Sequence, residues 1–499
     1  MDMDTFSVII FVVYFLGLVY ITVYCLMQSH LLYYYKKNGS NLPKEPVEVA
    51  DTDSDELPFV TVQLPIFNEM YVVERLIENI ANFNYPRDRF EIHVLDDSTD
   101  ETTRIAKAKV DEYKSKGYQI DYIHRTNRVG YKAGALKEGM DQARGEFIAI
   151  FDADFLPYPD FLRKTIGYFK DPKIGVVQTR WEHINKDYSL LTRLQAMQLD
   201  VHFTVEQKGR FSGDCLLQFN GTAGVWRRKT IEDAGGWEAD TLTEDLDLSY
   251  RAQLKGWRIA YLEDVGSPAE LPSEMNGLKS QQFRWTKGGA ETAKKMLPTI
   301  WKAKIPLRQK VHGTVHLMGS SIFISVLLTA ILSVPIMFYI EDLSINFTYG
   351  AVFYLAIVAL VSVYYVANVQ ASRGDDGYFK TLFKFIFLFP MFLSLSMGLS
   401  LHNTIAVIQG YLGKKSAFIR TPKFNIKGLS DTFKQRKYLE GKISWVTIME
   451  GLLALYFLVA AVYGPTTTGT YAFFVYHLML AFGFGAICYY SVRHLRLRR

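Results

Sequence analysis

The chain has 499 residues, of which 49% are hydrophobic, 21% charged and 14% aromatic, with a formal net charge of +5 and a mean hydropathy of +0.03. This composition excludes disorder, because there is ample apolar surface to bury, and the mild charge excludes nucleic acid as the main partner. Cys25, Cys215 and Cys488 are the only cysteines, too few for a disulfide scaffold and spaced for no zinc site.

Phe6–Met27 carries no charged side chain and is long enough to cross a bilayer, which takes about 20 apolar residues. The acidic start Met1-Asp2-Met3-Asp4 argues for a retained helix over a cleaved signal peptide. Residues 1–40 therefore read as an N-terminal transmembrane helix. Residues 41–310 form a charged block punctuated by Gly and Pro, with no apolar run of membrane length.

Within that block, Pro58–Leu64 reads as a strand, Tyr71–Phe83 as a helix, and Phe90–Leu95 as a second strand ending in Asp96-Asp97-Ser98. Asp100–Lys116 is a polar helix, Ile120–His124 a third strand, Gly134–Ala143 a helix, and Glu146–Phe151 a fourth strand ending in Asp152-Ala153-Asp154. Strands alternating with helices imply an α/β fold with a mostly parallel sheet. Ligands of such sheets bind beyond the carboxyl ends of the strands, where Asn68, Asp97, Asp152 and Asp154 fall.

Four short motifs carry candidate chemistry. Asp96-Asp97-Ser98 can accept from a nucleobase or ribose, or cap the helix beginning near Asp100. Asp152 and Asp154 can share one Mg2+ or Mn2+ with substrate phosphates, or simply occupy a solvated loop. In Thr243-Glu244-Asp245 a carboxylate can serve as general base, although the spacing alone favours a helix cap. In Gln281-Gln282-Phe283-Arg284-Trp285, a Trp face can stack on a sugar ring and the adjacent Arg can neutralise a diphosphate. An interfacial helix with a Trp anchor fits the same residues. His93, His124, His183 and His202 lack metal-ligand spacing and read as structural.

Residues 311–499 turn apolar, with candidate spans at Gly313–Ile340, Tyr349–Gln370, Leu382–Leu401, Trp445–Tyr463 and Tyr471–Tyr490. Basic flanks at Tyr35-Lys36-Lys37, Lys414–Lys442 and Arg493–Arg499, against the acidic loop Glu341–Tyr349, place the charged block and the C-terminal tail on the cytoplasmic side. That orientation requires one run not to cross once. Leu382–Leu401, interrupted by Pro390 and followed by His402-Asn403, is the expected exception, which leaves five spans. With so short a tail after the last span, no further domain is expected there.

Taken together and in this order, DDS, DxD, TED and QxxRW flanked by membrane helices resemble the family 2 membrane glycosyltransferases. Val94–Asp100, Asn127–Met140 and Phe219–Trp226 are most similar to the cellulose-synthase-like group that makes mannan and glucan backbones. The resemblance implies a GT-A-type nucleotide-sugar domain inserted between transmembrane helices. It implies a nucleoside pocket of Pro65, Asn68, Glu69, Asp96 and Asp97, with Lys132 near the donor nucleotide. It gives the metal to Asp152 and Asp154, the general base to Asp245 beside Glu244, and the donor diphosphate to Gln281 and Arg284. Phe219, Asn220, Gly221 and Trp285 would border the acceptor. Phe418, Thr421 and Lys423 lie in FIRTPK, which resembles an FxVTxK gating loop in which Arg420 replaces Val; the segment 382–442 would hold this interfacial and gating-like part.

The implied activity is inverting, metal-dependent and processive, since one base without a carboxylate nucleophile turns an α-linked donor into a β-linked product. The donor would be UDP-glucose or GDP-mannose, the acceptor a growing glycan chain, and the further partners the lipid bilayer and accessory export proteins. The alternative is a single transfer to a lipid acceptor such as ceramide, diacylglycerol or a polyprenyl carrier. A two-carboxylate hydrolase does not need a nucleotide-type domain fused to membrane helices. A transporter would show related repeats in its membrane halves, and none is visible in the sequence. The short, linker-poor chain favours a bacterial inner membrane over a Golgi membrane.

Overall fold

The computed structural model describes residues 5–38, 57–339, 351–372, 374, 376–416, 418–426, 431, 443–469 and 471–496. The acidic loop 341–349, most of the basic stretch 414–442 and the last three residues lie outside the described set.

The charged block is built on a seven-stranded sheet of order β3-β2-β1-β4-β6-β5-β7. The strands are β1 (Val60–Ile66), β2 (Phe90–Asp96), β3 (Ile120–His124), β4 (Phe147–Ile150), β5 (Ile174–His183), β6 (Gly224–Arg227) and β7 (Arg258–Ala269). Pairing is parallel except at β6, which runs antiparallel to both β4 and β5. Helices Val73–Ala81, Thr102–Ser115 and Tyr131–Gln142 connect the first four strands. β2 and β4 are buried along their whole length; β4 is apolar throughout, as expected of a strand covered on both faces, whereas β2 also buries Glu91, which accepts from Thr61 and Arg144. One apolar cluster, including Val62, Ile77, Ile92 and Phe151, packs against one face of the sheet, and another, including Leu136, Ile148, Phe219 and Trp226, against the other.

Five helices among the described residues are long and apolar enough to cross a membrane: Thr5–Lys37, Leu307–Tyr339, Tyr378–Gly398, Trp445–Thr468 and Phe474–His494. The number agrees with the sequence, but the short run is a different one. Pro390 does not interrupt the run Leu382–Leu401, because the helix Tyr378–Gly398 continues through it; the break falls at Leu399, before the Ser400–Tyr411 helix. A proline inside a helix removes one backbone donor, and here Phe385, Phe389 and Phe392 bury the helix beside Tyr364 regardless. The shorter apolar helix is Tyr354–Gln370, which ends in a π turn at Val366–Gln370. An amphipathic helix, Met275–Lys302, carries the QxxRW motif and packs against the Ser400–Tyr411 helix.

Candidate active site

The site is assembled where the strands end. β2 delivers Asp96 and Asp97 to different surroundings. Asp96 is fully buried, accepting from Ser98 N–H (2.8 Å) and Tyr122 O–H (2.6 Å), so it shapes the turn. Asp97 reaches the cavity and is gripped by Arg125 through Nε (2.7 Å) and Nη2 (2.6 Å). The expected cap at Ser98 or Asp100 is displaced: the helix starts at Thr102 after Glu101, which makes no side-chain cap, while Asp100 Oδ1 accepts from Thr102 N–H at 2.9 Å. Asn68 takes a left-handed φ of 55°. It braces the same turn, its Oδ1 accepting from Thr99 N–H at 2.8 Å.

β4 leads into Asp152 and Asp154. Asp152 Oδ1 pairs with Lys132 Nζ, which also donates to Gly221 O at 2.8 Å. Asp154 Oδ2 accepts from Lys423 Nζ at 2.7 Å. Burial pulls the Lys132 pKa down, but Asp152, Glu244 and Asp245 outweigh it and hold the ammonium charged. Each aspartate gives one oxygen to a lysine and keeps the other outside that contact. A hard divalent cation takes one or two carboxylates plus phosphates and water, so this pair fits one.

Glu244 and Asp245 open the Glu244–Leu254 helix. The capping box favoured by the spacing is not formed: Thr243 makes no cap bond, and its Oγ1 meets Thr292 Oγ1 at 3.1 Å. The two acids face the cavity instead. Burial raises both, and with Glu244 alongside Asp245 is pushed up to about 7. Gly221 sits opposite at φ +79°, and a Cβ there would stand 3.0 Å from Asp245 Oδ2. Both the left-handed backbone and the close approach require glycine.

Glu274 caps the Met275–Lys302 helix by accepting from Asn276 N–H (2.7 Å) and Gly277 N–H. Gln281, Arg284 and Trp285 share one helical face by their i, i+3, i+4 spacing, and all three line the cavity. Arg284 donates to Thr421 Oγ1 at 2.9 Å and lies 4.4 Å above the Phe418 ring. Burial lowers its pKa to about 10, still charged. The segment from Phe418 to Ile426 covers this side. Arg420, the departure from the gating pattern, pairs with Glu69 at 3.0 Å, and burial pushes that carboxyl up to about 7.

A cavity of about 210 Å3 gathers Pro65, Glu69, Asp97, Lys132, Asp152, Asp154, Asn220, Gly221, Glu244, Asp245, Gln281, Arg284, Trp285, Phe418, Thr421 and Lys423. Three residues named from the sequence do not line it: Asn68, Asp96 and Phe219. Phe219 is fully buried, edge-on to Trp226 at 5.4 Å. Phe67, Arg128 and Trp181, which no motif marks, also line it, as do His183 and Arg420. Arg128 stacks on Phe67 at 3.3 Å. His183 was read as structural; it faces the cavity with both ring nitrogens unpartnered, and burial lowers its pKa to about 4. Only its place at the end of β5 hinted at this. A separate acidic group, Glu238, Asp240 and Asp247, is held together by Lys295 Nζ at 2.6, 2.8 and 3.0 Å, so an ammonium already serves as its counter-charge.

The family model described as Glycosyltransferase like family 2 matches residues 58–288. Glucomannan 4-beta-mannosyltransferase 1 of Oryza sativa subsp. japonica is 38% identical over 389 residues, covering 76% of this chain and 71% of its own length. Glucomannan 4-beta-mannosyltransferase 2 of Arabidopsis thaliana is 44% identical over 277 residues, covering 54% of this chain and 52% of its own. Among solved structures, a mannosyltransferase from Pyrobaculum calidifontis in complex with GDP-Man and Mn2+ aligns at a TM-score of 0.48 and 19% identity, over 79% of this chain and 100% of that one.

Proposed function

The chain belongs to the family 2 glycosyltransferases, in their cellulose-synthase-like branch, and is thus a hexosyltransferase; from that premise we propose that it is an inverting, processive β-glycan synthase with GDP-mannose as donor. The observation that carries this reading is convergence: the DxD acids, the TED acids and QxxRW, far apart in the chain, line one cavity. The two relatives' names favour mannose over glucose and a 4-β linkage.

Asp245 takes the proton from the acceptor hydroxyl, and its pKa near 7 suits a base that works at neutral pH. The freed oxygen attacks the anomeric carbon, the bond to the diphosphate breaks on the opposite face, and an α-linked donor becomes a β-linked product. Lys132 and Arg284 bring positive charge to the diphosphate. Asp152 and Asp154 are the residues that would hold Mg2+ or Mn2+, and such an ion when bound neutralises charge on the departing group. Trp285 offers its ring to the acceptor sugar, and the Phe418–Lys423 stretch limits water access. The basic Tyr35-Lys36-Lys37 flank supports a cytoplasmic catalytic block, with the membrane helices as the exit route.

The test is product size. Purified full-length protein is incubated with labelled GDP-mannose or UDP-glucose, and the product is sized and its linkage analysed. A β-linked polymer from GDP-mannose is expected. A product carrying a single sugar and remaining lipid-extractable refutes processive synthesis.

A further inference from the structure

The helical run from Leu190 to Ser212 changes pitch once, at the π turn His202–Glu206, where Gln207 N–H reaches back five residues to His202 O. Such turns are rare and occur frequently at functional sites. Here the turn aims His202 at Asn220, on the cavity wall. His202 Nε2 contacts Asn220 Oδ1 at 2.8 Å, and His202 Nδ1 contacts Glu206 Oε2 at 2.8 Å. Burial alone would raise the Glu206 pKa, yet His202 and Arg210 beside it bring it down to about 2, so Glu206 is an ionised acceptor. An amide oxygen only accepts, so His202 Nε2 is the donor to Asn220 Oδ1.

The orientation of the Asn220 amide follows from a second chain of hydrogen bonds. Gln218 Nε2 donates to Asn220 Oδ1 at 2.7 Å, and Gln218 Oε1 accepts from His316 Nε2 at 2.9 Å. His316 Nδ1 in turn accepts from Tyr250 O–H at 2.7 Å. Asn220 Oδ1 thus receives two donors. Its Nδ2 is buried without a partner, in a side chain that is 9% exposed and borders the cavity. An unpaired buried donor is costly, and a ligand hydroxyl would satisfy it. The next residue, Gly221, is the one pressed against Asp245.

We propose that the His202–Glu206 pair is a positioning device that clamps Asn220 so that Nδ2 donates to a hydroxyl of the acceptor sugar, beside the hydroxyl that Asp245 deprotonates. The inference rests on the glycosyltransfer reading above, in which Asn220 already borders the acceptor, and adds the His202–Glu206 pair that holds its amide.

The test uses full-length protein in nanodiscs with GDP-mannose and β-1,4-linked mannooligosaccharides, measuring acceptor KM, kcat and donor affinity separately. Asn220→Asp removes the Nδ2 donor but keeps its size, and is expected to raise acceptor KM by about tenfold or more, the usual effect of one lost hydrogen bond at a desolvated site. His202→Phe removes the clamp and is expected to raise acceptor KM with donor affinity unchanged. His202→Gln, which keeps one N–H towards Asn220, is expected to recover most of the loss. Adding His202→Phe to Asn220→Ala is expected to cost nothing further, since both act through one amide. If His202→Phe does not fold, Asn220→Asp and His202→Gln decide. Unchanged acceptor KM in Asn220→Asp, an equal loss of donor affinity, or additive single effects overturn the proposal. Wild-type protein that transfers no sugar to any oligosaccharide overturns the glycan-synthase reading instead.

Discussion

Replacing Asp245 with Asn separates catalysis from stability. The carboxyl faces the cavity beside Glu244, and burial together with that neighbour raises its pKa from 3.8 to about 7. If Asp245 is the base, Asp245→Asn lowers kcat by about 10²–10⁴-fold and leaves donor affinity near wild type. In the wild type, kcat should fall as pH drops through about 7, where the carboxyl gains its proton. The sign for stability is opposite to that of an ordinary salt-bridged aspartate. Below both pKa values the group adds no penalty, and as pH rises from about 4 to about 7 the unfolded chain ionises first, so folding stability is lost. From the two pKa values the penalty is at most about 4 kcal/mol at pH 8 and about 2 kcal/mol at pH 5, from 1.36 kcal/mol per unit. Solvent screening lowers both figures, because the side chain is only partly buried. Asp245→Asn should therefore raise Tm at pH 8 more than at pH 5 while abolishing most turnover. Differential scanning at two pH values and single-turnover kinetics with GDP-mannose check this. Turnover within tenfold of wild type, or a flat pH–rate profile between 6 and 8, refutes the base assignment.

Trp285→Ala should raise acceptor KM about tenfold, from loss of an aromatic face, and change donor affinity little; a matching loss in both counts against stacking on the acceptor. Asp154→Ala, or excess chelator on the wild type, should reduce transfer by more than about a hundredfold, given the several kcal/mol a metal supplies to a phosphoryl leaving group. Full activity in chelator removes the metal from the mechanism. Lys279 on the QxxRW helix and Glu450 on the Trp445–Thr468 helix form a buried ion pair at 2.8 Å. Glu450→Gln leaves the lysine unpaired and should cost about 3–5 kcal/mol, whereas the double change Lys279→Met/Glu450→Leu should recover most of it; thermal unfolding in detergent tells the two apart.

The strand-end acids were legible because of where they stand. β2 ends in Asp96 and the apolar β4 is followed shortly by Asp152, and the carboxyl ends of parallel strands are where such sheets bind ligands. The sequence could not separate Asp96 from Asp97, because Asp96 closes β2 and Asp97 lies just past it, and only the assembled site decides which of the two faces the cavity. Phe219 was misplaced for a related reason: it sits in the same short segment as Asn220 and Gly221, yet its ring fills the core against Trp226. The helix cap at Thr243 looked better than a base at Asp245 because capping is a local pattern, while the cavity that Asp245 faces is lined by segments distant in the chain, among them those of Lys132 and Phe418. His202 carried no local signal at all. Its meaning lies in a π turn and in Asn220, 18 residues later, and neither periodicity nor metal spacing responds to such a pairing. Motifs that do their work through backbone position were therefore readable in one dimension. Groups that work by orienting another side chain were not, since an imidazole aimed at a carboxamide has no sequence period, and the cost of an unpaired buried donor appears only once the walls around it are in place.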